Sequence, residues 1–178
     1  NIFLIDMGQN MVGWIELKTK SISNTPVVLR YAEKLKDNSD SIYTANLRSA
    51  KATDSIATLT EVTQIDWQPS FVYHGFRYVE ITGVENISEN DITGKVVYDE
   101  MATTGTFNSS DSMLNKIFKA AWWTISGNYK GMPVDCPQRD ERMGWLGDRS
   151  INCFGESFLL DNYHVYAKWL DDIADAQL

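Results

Sequence analysis

From Met132 to Asp148 the chain reads Met-Pro-Val-Asp-Cys-Pro-Gln-Arg-Asp-Glu-Arg-Met-Gly-Trp-Leu-Gly-Asp. This stretch holds four carboxylates (Asp135, Asp140, Glu141, Asp148), two arginines (Arg139, Arg142) and the indole of Trp145. Carboxyl groups work in pairs when their surroundings push their pKa values apart. One stays protonated to hand a proton to a leaving oxygen, and the other stays ionised to activate water or attack an anomeric carbon. Glu141 has the longer reach and a mid-loop position, which makes it the candidate acid. The fork of Arg139 can hold a carboxylate or two sugar hydroxyls at once, and Trp145 offers a flat face to the apolar side of a sugar ring. The competing reading is a salt-bridged loop, with Arg139 and Arg142 neutralising Asp135, Asp140 and Glu141 while Trp145 plugs a core.

Pro133, Pro137, Gly144 and Gly147 oppose a continuous helix through this stretch and favour an ordered loop, which must be carried by a scaffold. Upstream, residues 2–6, 12–18, 27–35, 43–53, 76–82 and 93–98 read as short strands between turn-rich pieces, the spacing of an all-β sandwich. Val27, Leu29 and Tyr31 alternate with Arg30 and Ala32, as one core-facing side requires. His74 sits among aromatics and reads as structural. Arg48 and Arg77 read as sheet-edge ion pairs, and Trp14 and Trp67 as core or interface residues.

After Gly105 the apolar period changes from two to about 3.6. Ser109 or Ser110 is the expected cap of a helix ending near Gly127, with Leu114, Ile117, Phe118, Ala121 and Ile125 as its apolar stripe. Asp148 is expected to cap a second helix over residues 149–160, with a third starting near Asn162. So few helices cannot cover all these apolar faces, so the α half reads as the first portion of a larger helical domain. Both ends are abrupt, and the chain reads as a segment of a longer polypeptide.

The 178 residues carry a net charge of −8 and no cluster of Lys and Arg, which argues against a nucleic-acid partner. No apolar run approaches the ~20 residues of a membrane helix. Cys136 and Cys153 cannot build a disulfide framework and lack the spacing of a zinc site, so free thiols are expected. A Gly-rich phosphate loop, a nucleophile elbow and a metal-binding His pair are all absent from the sequence.

Residues 135–148 resemble the signature of the bacterial α-L-rhamnosidases of glycoside hydrolase family 78, Asp-Cys-Pro-x-Arg-(Asp/Glu)-Glu-Arg-x-Gly-Trp-x-Gly-Asp. Residues 6–14 and 73–79 are similar to stretches of the β-sandwich that precedes that family's catalytic barrel. The resemblance covers essentially the whole chain. It implies an antiparallel β-sandwich domain over residues 1–104, followed by the N-terminal part of an incomplete (α/α)6 barrel over residues 105–178. It also implies inverting hydrolysis of terminal α-L-rhamnosides, with Glu141 as general acid and Asp135, Arg139, Trp145 and Asp148 lining the rhamnose subsite. No metal or cofactor is called for. The family's general base is a second glutamate later in the barrel, a position beyond Leu178. The implied partners are therefore a rhamnose-containing glycoside and the remainder of the polypeptide, and the 178-residue piece alone is expected to be inactive. The alternative is a non-catalytic carbohydrate-binding or domain-packing module, in which the sandwich does the work.

Overall fold

A computed structural model of the chain describes residues 1–57 and 60–177. It divides into two compact units, Asn1–Val97 with Gln138–Asp140, and Tyr98–Pro137 with Glu141–Leu178. The fold class is the expected one, an antiparallel β domain followed by the first helices of a helical domain.

In the first unit, the strands β1 (Ile2–Lys20), β2 (Val27–Ala32), β5 (Thr53–Ile56), β6 (Gln64–Trp67) and β7 (His74–Thr82) form a sheet in the order β5-β2-β7-β1-β6. Strand β8 (Ile92–Val96) joins it by pairing with β1, and β3 (Lys34–Leu35) and β4 (Ile42–Tyr43) make a separate two-stranded sheet. Burial alternates along β2, where Val27, Leu29 and Tyr31 are buried and Arg30 is exposed. With Ile15, Leu17, Phe76, Val79 and Ile81 they form the core of this unit. Each such side chain contributes about 1.5–3 kcal/mol by leaving water.

Several strand boundaries differ from the sequence expectation. Residues 2–6 and 12–18 belong to one strand, because 8–10 form not a turn but an irregularity in the β1–β7 register between Asp6 and Met11. Gly8, at φ 75°, absorbs it, with its N–H donating to Asp6 Oδ1 at 2.8 Å. The expected strand over 43–53 is instead β4, a 3-10 turn at Ala45–Leu47 and β5. Strand β6 was not expected.

His74 is buried and has an acidic partner. Its Nε2 lies 3.1 Å from both carboxylate oxygens of Asp54, and its ring stacks on Tyr31 at 4.1 Å. The Tyr31 hydroxyl donates to Asp54 Oδ2 at 2.8 Å. Arg77 grips Asp6 with two 2.7 Å bonds, which hold the Asp6 carboxyl below the usual carboxylate range.

The second unit carries α1 (Ser112–Gly127), α2 (Leu146–Glu156) and α3 (Tyr163–Asp175). Asp111, not Ser109 or Ser110, caps α1, accepting from the Met113 N–H at 2.8 Å. The Ser109 hydroxyl accepts one step earlier, from the Asp111 N–H. Helix α2 starts three residues before the expected position: Trp145 is its N-cap residue, and Gly147 and Asp148 lie within its first turn. Asp148 is therefore no cap, although a negative charge there still favours the helix N-terminus by about 0.3–1 kcal/mol. Residues 102–105 run beside the end of α2, with Asp161 N–H donating to Ala102 O at 2.8 Å. A Cβ on Gly105 would lie 1.9 Å from the Phe158 carbonyl oxygen. No helix among the described residues is long and apolar enough to cross a membrane.

The expected apolar stripes exist and are in part exposed in this unit, although Trp169 on α3 is buried. Leu114, Ile117 and Leu170 are open to solvent, and on α2 Ile151 and Phe154 are 81% and 74% exposed. The side of α2 that is buried carries charge, through Arg149 and Glu156.

Candidate active site

The loop between α1 and α2 is built from its base upward. A turn at Gly131 (φ 76°) is held by Asp99, whose carboxylate accepts the Gly131 N–H at 2.7 and 2.9 Å. Val134 N–H then donates to Asn128 O at 2.8 Å. Asp135 and Met143 close the loop reciprocally: Asp135 N–H donates to Met143 O at 2.9 Å, and Met143 N–H donates to Asp135 Oδ1 at 2.8 Å. Arg142 holds a left-handed backbone (φ 51°) and donates from Nε to Pro137 O at 3.1 Å. For a residue with a Cβ such a conformation is sparsely populated, and such residues cluster at functional sites. Gly144 lies so close under Trp169 that an added Cβ would be 3.0 Å from the indole.

Glu141 is half-buried and Trp145 is 48% exposed. The Trp145 indole N–H donates to Glu141 Oε1 at 2.9 Å. Within this unit Trp145 therefore keeps about half of its surface open to solvent. Asp135, Cys136 and Glu141 each place one carboxylate oxygen or thiol sulfur within 4.8 Å of the others. Among the described residues this is the group that could hold a metal ion, but a closed structural site takes four ligands. Both cysteines are free, Cys136 being buried and Cys153 partly so.

Of the five residues singled out for the sugar site, Asp135, Glu141, Trp145 and Asp148 lie in the second unit, where Asp135 approaches Glu141 and Trp145 bonds to it. Asp148 is exposed on the first turn of α2. Arg139, partly buried, falls in the segment Gln138–Asp140 that groups with the first unit. There Asp140 accepts from the hydroxyl and the backbone N–H of Ser49, and the hydroxyl bond lowers its pKa. Gln138 packs on Gly75 so closely that a Cβ on Gly75 would come within 2.8 Å of the Gln138 Cβ. Asp140 is thereby an anchor of its segment.

A buried network beneath the loop was not anticipated from the sequence. Arg149 Nη1 donates to Glu156 Oε1 at 2.7 Å, and Arg149 Nη2 donates to the Val134 carbonyl at 2.5 Å. Tyr129 donates to Glu156 Oε2 at 2.6 Å and accepts from Asn162 Nδ2 at 3.1 Å. Burial and the Glu156 carboxylate push the Tyr129 phenol far above its usual pKa. The signal was present in the spacing, since positions seven apart share a helix face, but a charged pair on a face normally reads as solvated.

The antiparallel β domain, the acidic loop and the helices after it have counterparts among known protein domains. The bacterial alpha-L-rhamnosidase concanavalin-like domain matches residues 1–98, and the bacterial alpha-L-rhamnosidase 6 hairpin glycosidase domain matches residues 102–178. The chain belongs to the bacterial α-L-rhamnosidase family, glycoside hydrolase family 78. An α-L-rhamnosidase of Streptomyces avermitilis is 41% identical over 177 residues, covering 99% of this chain and 17% of the relative. One of Formosa agariphila is 38% identical over 177 residues, covering 98% and 19%. The crystal structure of the Streptomyces avermitilis enzyme complexed with L-rhamnose superposes with a TM-score of 0.91 at 40% identity, over 99% of this chain and 17% of that one. The chain spans about a fifth of the length of these relatives.

Proposed function

We propose that this chain is the acid-bearing part of an enzyme that hydrolyses terminal α-L-rhamnosides with inversion. Glu141 protonates the departing glycosidic oxygen. Asp135, Arg139, Trp145 and Asp148 hold the rhamnose, the carboxylates and guanidinium through hydroxyl groups and Trp145 through its exposed face. Residues 1–104 serve as the β-sandwich domain and residues 105–178 open an (α/α)6 barrel. Further helices of that barrel cover the exposed faces of α1, α2 and α3 and bring the second carboxylate.

The observation that carries this reading is the spacing of Asp135 and Glu141, one carboxylate oxygen of each lying within 4.8 Å of the other. An inverting pair stands roughly 6.5–9.5 Å apart to leave room for a water. An oxygen-to-oxygen approach within 4.8 Å leaves little room for that water, which supports a substrate-holding role for Asp135 and a general base elsewhere. The bond from Trp145 supports Glu141 as a carboxyl held in one orientation toward a sugar stacked on the indole.

The stereochemistry of hydrolysis tests the reaction. Proton NMR of the first turnovers of the full-length protein on an aryl α-L-rhamnoside is expected to show β-L-rhamnose as the initial product. Initial α-L-rhamnose, or no turnover of rhamnosides, would overturn the proposal.

A further inference from the structure

The buried pair on α2 has no part in the chemistry just assigned, yet it is joined to it by a short covalent path. Arg149 and Glu156 are 6% and 5% exposed. A buried ion pair is weak grounds for stability, because desolvating two charges offsets their attraction, and well-packed apolar replacements often serve as well. What an apolar pair cannot do is hold a backbone carbonyl at a fixed place. Arg149 does so with one arm on Glu156 and the other on the Val134 carbonyl. A lysine cannot reproduce that planar two-armed grip.

The next residue after Val134 is Asp135. With its N–H on Asn128 O and its carbonyl on Arg149, Val134 is fixed on both sides. Asp135 then closes the loop on Met143, two residues from Glu141 and two from Trp145. Glu156, at the far end of α2, is itself held by Arg149, Tyr129 and Tyr166, the last at 3.3 Å. The guanidinium thus holds the carbonyl of the peptide that joins Val134 to Asp135.

We infer that the Arg149–Glu156 pair is a positioning device for the sugar site: through the Val134 carbonyl it sets Asp135, and through the Asp135–Met143 closure it sets the span that carries Glu141. This rests on the reading of Asp135 and Glu141 as substrate-holding and acid groups. Neither Arg149 nor Glu156 touches the sugar.

The test compares full-length wild type, Arg149→Lys, Glu156→Gln, the apolar double variant Arg149→Met with Glu156→Leu, and Glu141→Gln as reference. Each is measured for kcat, KM and the pH profile on an aryl α-L-rhamnoside, and for fold by circular dichroism. The expected result is a KM at least tenfold higher in Arg149→Lys and Glu156→Gln, with a displaced pH profile and an unchanged spectrum. Should the single variants fail to fold, the apolar double variant decides, being expected to fold and to show the same tenfold loss. Wild-type KM and pH profile in the folded variants, beside an inactive Glu141→Gln, overturn this inference alone. Wild-type turnover in Glu141→Gln overturns the functional reading and this inference with it.

Discussion

The indole N–H of Trp145 donates to the Oε1 oxygen of Glu141 at 2.9 Å, joining the proposed proton donor to the proposed stacking surface four residues away. Trp145→Phe keeps an aromatic face and removes only the donor. A hydrogen bond to a neutral carboxyl is worth about 0.5–1.5 kcal/mol, so kcat/KM on an aryl α-L-rhamnoside is expected to fall about two- to tenfold in the full-length protein. A wild-type value would mean the bond does nothing for turnover.

A Cβ on Gly144 would stand 3.0 Å from the Trp169 indole, so the ring must give by a few tenths of an ångström. Gly144→Ala is expected to lower stability by about 1–3 kcal/mol, the usual range for overpacking a filled site. Urea denaturation of the full-length protein reads this directly, and an unchanged midpoint would mean that the ring yields without cost.

Lys130 is bonded to the carbonyls of Gly127 and Tyr129, both at 3.0 Å, and burial lowers its pKa to about 8. An unfolded lysine titrates near 10.4. Between about pH 8 and 10.4 the unfolded chain therefore binds more protons, so this group makes stability rise with pH across that window. Lys130→Met should remove that rise relative to wild type in denaturation measured from pH 7 to 11. An identical pH dependence in the two proteins would contradict the assignment.

Much of this site could be read in the sequence, because polar residues that are dense in a short span with Pro and Gly among them announce a loop. That density points to Glu141, Arg139 and Trp145, and in the structure Trp145 bonds to Glu141. The misreadings were local competitions between similar signals. Asp148 looks like a cap because it precedes an apolar helical pattern, yet α2 begins at Leu146 despite the glycine beside it. Ser109 and Asp111 can both cap, and the stronger acceptor took the helix. Gly8-Gln9-Asn10 has turn composition but sits in a strand irregularity. The 3.6-residue stripe of α2 is present, and Ile151 and Phe154 are exposed, as expected of helices too few to cover one another, while the buried Arg149 on the opposite side was not expected. Periodicity reports that a face differs, and only tertiary contacts decide what meets it.

Expressed alone, residues 1–178 are expected to hydrolyse aryl α-L-rhamnosides at less than about a hundredth of the full-length rate, since general acid–base groups each contribute about 10²–10⁴. A rate near that of the full-length protein would place the second carboxylate within these residues.

The assignment of Glu141 as proton donor is tested most directly by kcat of the Glu141→Gln variant of the full-length protein on a rhamnoside with a poor leaving group. The account predicts a fall of about 10²–10⁴ with rhamnose binding retained. Turnover equal to wild type would contradict it.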